Sequence, residues 1–369
     1  MKTRYEVLDG LRGTAALSVV ALHLCEIFRP TAAPNPLHHG YLAVDFFYML
    51  SGFVMGHAYD DRWPRMSLRD FAGQRLRRLH PLVLLGVAMG FLGYLAERIW
   101  MTGGGAPHLL LLANLALACL LLPAPSLPGH ERQAYSLDGP SWSLGQEYLA
   151  NLAYALVARR LARKALAAVV ALCALALAVM AARLGSLVVG WSWATLPLSP
   201  LRTAFPFLAG LLIQRCGVRL RLGGGFVLLS AALLAAFFAP QLSGAANGLF
   251  EAAVVIGVFP LVIAIGAAAP ARGLSARLCG VAGELSYPLY IIHYPIVRLY
   301  AVWVWTGGAS HAAQLAVGAA VAFGLPLAAW AALKLYDEPV RAWLGRRRLA
   351  AAAAPTLAAA PAAPKASPG

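Results

Sequence analysis

Charged residues are scarce in this chain. Asp, Glu, Lys and Arg make up 12% of its 369 residues, whereas hydrophobic residues make up 60% and the mean hydropathy is +0.68. Ordinary soluble domains carry about 25% charged residues. The shortage therefore excludes an ordinary soluble enzyme and a disordered protein, and it indicates a protein that crosses a lipid bilayer several times.

Cysteine is also rare. Only five cysteines are present, and no two of them have the spacing of metal ligands. This excludes a scaffold held by disulfides and gives no sign of a metal site, so we expect no metal cofactor. A cleavable signal peptide is not expected either, because the first apolar run contains Arg12, His23 and Glu26.

Apolar runs of membrane-spanning length follow one another almost without interruption. A helix needs about 20 apolar residues to cross the hydrocarbon core. The run at 108–122 is shorter and lies between Pro107 and Pro123, which favours a re-entrant or interfacial segment. The sequence therefore predicts an all-α polytopic membrane bundle of about ten transmembrane helices, at 11–29, 41–59, 80–99, 141–158, 165–189, 201–214, 225–240, 247–269, 284–305 and 312–336.

Acidic residues are half as numerous as basic ones, and the formal net charge is +15. On a soluble protein this excess would suggest nucleic acid. Here the basic residues cluster at the ends of apolar runs, while four connections contain no Lys or Arg, near 31–40, 190–200, 241–246 and 306–311. Because cytoplasmic loops are enriched in Lys and Arg, we expect both termini in the cytoplasm and no nucleic-acid partner.

The chain divides into two regions by composition. Residues 5–345 form the expected membrane domain, and residues 346–369 are rich in Ala and Pro and predict a disordered cytoplasmic tail. No internal repeat is visible.

The first apolar run carries two ionisable residues that share one face. Arg12 and His23 are eleven residues apart, about three helical turns, so both lie on one stripe with a rise of about 16 Å between them. Ionisable groups inside spans are costly, which makes each a candidate functional residue. Taken singly, Arg12 is also typical of an anchor that reaches the interface, and His23 of a helix-packing hydrogen bond.

Two carboxylates lie a few residues inside spans that start from the outer face. Asp45 and Glu147 are expected at nearly the depth of His23, where a carboxylate could fix the imidazole tautomer and stabilise its cation. A local helix cap and an interfacial carboxylate are the alternatives. Trp142, just before Glu147, fits either a ligand contact or the aromatic belt at the interface.

Further polar residues lie at the other end of the predicted bundle and near its middle. Arg75 and Arg78 share a face at the foot of the third predicted helix and suggest a phosphate clamp, although topology-setting charges look the same. His293 lies between Pro288 and Pro295, where it could also bond a freed backbone carbonyl.

Six short motifs occur in order along the chain. They read LDGLRGTAALSVVALH, AVDFFYMLSGFVMG, RLRRLHPL, PSWSLGQEY, ELSYPLYIIHYPIV and YDEPVR. Together they cover residues 5 to about 341 and resemble the membrane-bound acyltransferase family 3, which includes O-antigen acetylases and other O-acyltransferases of exported sugars. The resemblance implies an enzyme that transfers acyl groups other than amino-acyl groups.

The resemblance also implies roles for particular residues. His23 matches the catalytic histidine and Arg12 its companion, Arg75 and Arg78 match an Arg-x-x-Arg motif, and Glu147 matches the acid of a Trp-Ser-Leu motif. We expect His23, Asp45 and Glu147 to be catalytic, and Arg12, Arg75 and Arg78 to bind the donor. The residues expected to contact the acceptor are Trp142, Ser143, Tyr287 and His293.

The reaction that the resemblance implies moves an acyl group, acetyl by default or succinyl, from cytoplasmic acyl-CoA to a hydroxyl of an acceptor in the bacterial inner membrane. The expected acceptor is an exported or cell-envelope carbohydrate, and a small-molecule acceptor stays open. No appended SGNH-type hydrolase domain is visible, which favours one-step transfer or a separate envelope-enzyme partner; a homo-oligomer is also compatible. Two alternatives stay open. Intramembrane His, Asp and Glu also suit a proton-coupled exporter of a glycan precursor or small molecule, and a non-catalytic assembly partner is the other.

Overall fold

The computed structural model describes residues 4–27, 35–102, 107–223 and 225–346. Beyond residue 346, the predicted tail lies outside the described residues. Within them the chain is helical, and only one isolated β-bridge occurs, between Gln133 and Ser192. The α-helices are α1 (Glu6–Ile27), α2 (Ala43–Tyr59), α3 (Leu68–Thr102), α4 (His108–Cys119), α5 (Ser141–Leu156), α6 (Arg163–Leu184), α7 (Ser199–Arg215), α8 (Gly225–Phe237), α9 (Gly244–Ala253), α10 (Phe259–Gly266), α11 (Gly273–Trp305) and α12 (His311–Ala331).

Six helical segments of the described chain are long and apolar enough to cross a membrane. They are Glu6–Ile27, Leu68–Met101, Arg163–Leu184, Leu196–Arg215, Gly244–Gly266 and His311–Arg346. The helices α2, α5 and α8 are shorter, and α11 is long but less apolar because it carries several tyrosines, His293 and Arg298. The all-α membrane bundle is therefore confirmed, whereas the count of ten spans stays a prediction.

The first helix packs side by side with α11, in the most extensive helix pairing of the described bundle. Small residues allow the close approach, since a Cβ built at Gly13 would lie 2.4 Å from the Cβ of Ala282. Small residues at such positions let helix backbones come together in a membrane. The two helices run in parallel, because Arg12 contacts Ser286 and His23 stacks on His293 further along both helices.

The segment between α4 and α5 folds into the bundle. The Leu137 carbonyl lies against α3 so closely that a Cβ at Gly90 would be 2.0 Å from its oxygen. Glu97 of α3 also holds this segment in place. Its Oε2 lies 3.2 Å from Nε2 of His130, and its carboxylate pairs with Arg298 of α11. As a result α5 begins inside the bundle, next to Asp138, whose carbonyl accepts a hydrogen bond from the Ser141 backbone at 3.0 Å.

We expect Gly90→Ala to destabilise the protein, because the added methyl group meets backbone rather than a movable side chain. Overpacking of this kind costs about 1–3 kcal/mol. The matched control is Gly324→Ala in α12, where nothing lies within 4 Å of the added Cβ. Melting of both variants in detergent should show a lower midpoint for Gly90→Ala alone. Equal midpoints would contradict the close approach at Leu137.

Candidate functional site

Arg12 is bound to α11 rather than extended towards the membrane surface. Its Nε donates to Ser286 Oγ at 2.8 Å, and its Nη2 donates to the Gly283 carbonyl at 2.7 Å. Oδ1 of Asp9, one turn earlier on α1, lies 3.5 Å from Nη2 of Arg12. These contacts hold the guanidinium of Arg12 against α11.

Arg75 and Glu147 form an ion pair inside the bundle. Nη2 of Arg75 lies 2.9 Å from Glu147 Oε1, which also accepts from Ser51 Oγ at 3.0 Å. Arg75 is buried, and its Nε has no hydrogen-bond partner within the described part of the chain. Arg78, one turn further along α3, is exposed.

The three arginines and Glu147 belong to one electrostatic cluster. Arg12 interacts with the charge of Glu147, and Arg78 interacts with those of Arg75, Arg12 and Glu147. We call these four residues the cationic cluster. It carries a net positive charge and an unsatisfied donor, so it suits an anionic ligand such as a phosphate.

Glu147 was expected near the depth of His23, but the structure places it beside Arg75. The expectation counted residues from a helix start at the membrane surface. Because the segment before α5 folds into the bundle, Ser141 starts the helix at a deeper level, and Glu147 follows six residues further in.

His23 contacts a carboxylate, and that carboxylate is Glu26. Nδ1 of His23 lies 2.9 Å from Glu26 Oε2, one turn along α1. If Nδ1 carries the proton, Nε2 has a free lone pair and can act as a base. The imidazole stacks on His293 with ring centroids 5.4 Å apart, and the ring of Tyr294 lies edge-on at 5.3 Å.

His293 is fully buried and has one nitrogen committed to the backbone. Its Nδ1 donates to the Tyr290 carbonyl at 2.8 Å, whereas its Nε2 has no hydrogen-bond partner within the described residues. With the proton on Nδ1, Nε2 is an acceptor beside His23. We call His23, Glu26, His293 and Tyr294 the imidazole cluster.

Asp45 does not join the imidazole cluster. It is fully buried and pairs with Arg202 of α7, whose Nη2 lies 2.6 Å from Oδ2 and whose Nε donates to both oxygens. The same guanidinium lies over the ring of Trp142 at 5.3 Å. Asp45 and Trp142 thus meet at Arg202, and the contact expected between Asp45 and His23 is not among the contacts that the structure shows.

The hydroxyl groups of Ser143 and Tyr287, two residues expected to contact the acceptor, already form hydrogen bonds within the protein. Ser143 Oγ donates to the Pro140 carbonyl at 2.9 Å and lies 2.6 Å from the Tyr290 hydroxyl. Tyr287 donates to the Leu79 carbonyl at 2.7 Å, so it ties α11 to the foot of α3 near the cationic cluster.

Sequence reasoning missed Glu26, Tyr294 and Arg202. Glu26 lies three residues after His23, a spacing that places both on one helix face, so the signal was present. Arg202 lies inside a predicted span and should have counted as a functional or structural candidate. Tyr294 carries no comparable signal. Within the described ranges, no group of three or more His, Cys, Asp or Glu could hold a metal ion.

Comparison with known proteins defines the class. The family model described as an acyltransferase domain matches residues 5–333, so the chain belongs to this acyltransferase family. It is 29% identical to Acyltransferase MdmB of Streptomyces mycarofaciens, over 95% of both chains. It is also 35% identical to Protein 2 in picA locus of Rhizobium radiobacter, over 48% of this chain and 95% of that one. No solved structure matches.

Family membership makes the protein an acyl-transferring enzyme of the membrane. The motifs of the first, third, fifth and eleventh helices lie within the matched residues. The cationic and imidazole clusters are therefore parts of the acyltransferase domain.

We expect Asp45→Asn to lower the stability of the protein, because Arg202 would keep its charge in a buried place without an anion. Removing one partner of a buried ion pair costs about 3–5 kcal/mol. Glu338→Gln is the control, since its pair with Lys334 is exposed to solvent and contributes little to stability. Detergent melting curves give the comparison, and a wild-type midpoint for Asp45→Asn would show that the pair does not hold α2 to α7.

Proposed function

We propose that this protein is an O-acyltransferase of the bacterial inner membrane, with a cytoplasmic acyl-CoA as donor and a hydroxyl of an exported or cell-envelope carbohydrate as acceptor. Acetyl is the proposed acyl group. One observation carries the proposal: Arg12 and His23 both contact α11, at two levels of the same pair of helices, and we propose that a donor held at one reaches the other. Membership of the acyltransferase family supports it.

The cationic cluster is the proposed site for the phosphates of acyl-CoA. Arg78 is exposed and Arg75 keeps a free Nε, so both have donors to offer an anion. Arg12 is already bound to Gly283 and Ser286 and adds mainly its charge. Glu147 holds the guanidinium of Arg75 in place and in our proposal acts by positioning it.

In this proposal the donor lies along helix α1, with its nucleotide at the cytoplasmic end. The pantetheine arm runs beside α1 from Arg12 to His23, a rise of about 16 Å along the helix. This places the thioester carbonyl beside the imidazole cluster, while the nucleotide stays on the cytoplasmic side. The acceptor hydroxyl approaches the same carbonyl from the other side of the membrane.

His23 is the proposed general base. As the acceptor oxygen attacks the thioester carbon, Nε2 of His23 takes the hydroxyl proton, and the carbon–sulfur bond then breaks. The imidazolium returns its proton to the CoA thiolate, so the products are the ester and CoA. Glu26 fixes the tautomer and stabilises the imidazolium, as a carboxylate does in a catalytic triad.

The remaining predicted residues position the acceptor or the helices that hold it. His293 Nε2 is available to accept a hydrogen bond from a second hydroxyl of the acceptor. The hydroxyl groups of Ser143 and Tyr290 form a hydrogen bond with each other. We propose that Trp142, Asp45 and Arg202 keep α5, α2 and α7 in register, and that Tyr287 does so for α3 and α11.

We expect His23→Ala to abolish acyl transfer while the protein stays folded, because a positioned base contributes about 10²–10⁴-fold. The measurement is transfer of labelled acetyl from acetyl-CoA to envelope glycan in membranes, followed by mass analysis of the glycan. His108→Ala, an exposed histidine at the start of α4, is the control. Persistent transfer by His23→Ala would contradict the assignment. Labelled acetyl on the wild-type enzyme without acceptor would instead show that His23 is acylated first.

Arg78→Ala should raise the KM for acyl-CoA by roughly 10–100-fold, which corresponds to the loss of one or two charged hydrogen bonds. The value of kcat should change little, since Arg78 lies far from the reacting carbonyl. Arg77→Ala, on the neighbouring position of α3, tests whether charge alone matters. Equal effects of both substitutions would mean that Arg78 acts through the general field and not as a phosphate ligand.

A further inference from the structure

Asp138 carries a buried carboxyl group and belongs to neither the cationic cluster nor the imidazole cluster. It lies in the segment before α5 and is only 4% exposed. Its Oδ2 accepts a hydrogen bond from Ser141 Oγ at 2.7 Å, while its Oδ1 has no hydrogen-bond partner within the described residues. A buried carboxylate usually has several donors, so the single bond from Ser141 leaves it unsatisfied.

The surrounding helices hold Asp138 on the side of the imidazole cluster. A Cβ at Gly86 of α3 would lie 3.5 Å from Asp138 Oδ2, and one at Gly139 would meet the ring of Tyr294 at 3.0 Å. Tyr294 in turn contacts His23. The carboxyl group is therefore locked between α3 and α11, close enough for the charge of His23 to act on it.

Burial raises the pKa of Asp138 to about 7, against the lowering effects of the Ser141 hydrogen bond and the charge of His23. The titratable groups whose charges interact with that of Asp138 are His23 of α1 and Tyr290 and Tyr294 of α11. Among the other titratable or charged groups on the elements around it are Glu26 of α1, Glu97 of α3, Glu147 of α5, His293 and Arg298 of α11, and His130, Glu131 and Tyr135 of its own segment.

A small cavity of about 10 Å³ adjoins the carboxyl group. Its lining includes Asp138, Asn114, Tyr135 and Ser136, and Oδ1 of Asn114 also lacks a hydrogen-bond partner among the described residues. This volume is close to what one water molecule needs, and two bare acceptors give it partners.

We propose that Asp138, in its ionised form, is a positioning residue for the acyl transfer: together with Glu26, which contacts His23 directly, it stabilises the protonated His23. The proposal rests on the proposed function. The proton still moves from the acceptor hydroxyl to His23 Nε2 and then to the CoA thiolate, and Asp138 stays ionised throughout. Its negative charge favours the imidazolium that forms as the carbon–oxygen bond is made.

The sign of the pH dependence follows from this role. Asp138 helps only when it is ionised, so part of the activity is gained as pH rises through about 7 and lost as pH falls below it. Loss of the Ser141 hydroxyl removes a donor to the ionised form, which raises the pKa of Asp138 and moves this gain to higher pH.

The test measures kcat, KM and their pH profiles for acyl transfer from acetyl-CoA by the full chain in membranes. Asp138→Asn keeps the acceptor for Ser141, so it should fold. It should lower kcat about tenfold or more, a share of what a positioned base contributes, leave the KM for acetyl-CoA unchanged and remove the gain near pH 7. Ser141→Ala should shift that gain to higher pH. Glu131→Gln, an exposed carboxylate in the same segment, should change none of these values.

The outcomes separate the two proposals. If the wild-type protein transfers no acyl group, the proposed function fails and the role of Asp138 fails with it. If the wild type is active but Asp138→Asn keeps its kcat and pH profile, only the role of Asp138 is overturned. If Asp138→Asn does not fold, Ser141→Ala decides the question, since an unshifted pH profile in that variant also overturns the proposal.

Discussion

The parallel packing of α1 against α11 is the constraint on which the rest of the site depends. Small residues such as Gly13 bring the two backbones together, and this closeness lets Arg12 reach the Gly283 carbonyl at one level and His23 stack on His293 at another. Because both contacts belong to one pair of helices, the distance between the cationic and imidazole clusters is fixed by helix geometry. A looser pairing would let each cluster move independently.

The segment between α4 and α5 supplies the second constraint. It enters the bundle over Gly90 and is held by the buried Glu97, which pairs with Arg298 and contacts His130. Its entry sets the depth at which α5 begins and thereby brings Glu147 to Arg75. The same segment carries Asp138 towards the imidazole cluster. This one irregular segment therefore helps to position residues at both the cationic cluster and the imidazole cluster.

The sequence was sufficient for the helical membrane class, the acyltransferase family and the placing of Arg12 and His23 on one stripe, because these depend on composition, ordered motifs and helical periodicity. It was insufficient to predict how deep Glu147 lies in the bundle or which residue pairs with Asp45. Counting inwards from the start of α5 placed Glu147 too high, since no local pattern reveals that the preceding segment is buried. The partner of Asp45 was missed because Arg202 is 157 residues away in the chain, and periodicity cannot relate distant helices.

The order of synthesis adds a consequence of the α1–α11 pairing. Arg12 is made at the beginning of translation, but its acceptors Gly283 and Ser286 follow 271 and 274 residues later. Until then the guanidinium of Arg12 lacks these acceptors in the nascent chain, and the pairing that sets the distance between the two clusters has not formed. A ribosome that stalls before α11 leaves a chain in which neither Arg12 nor His23 has its contact on that helix.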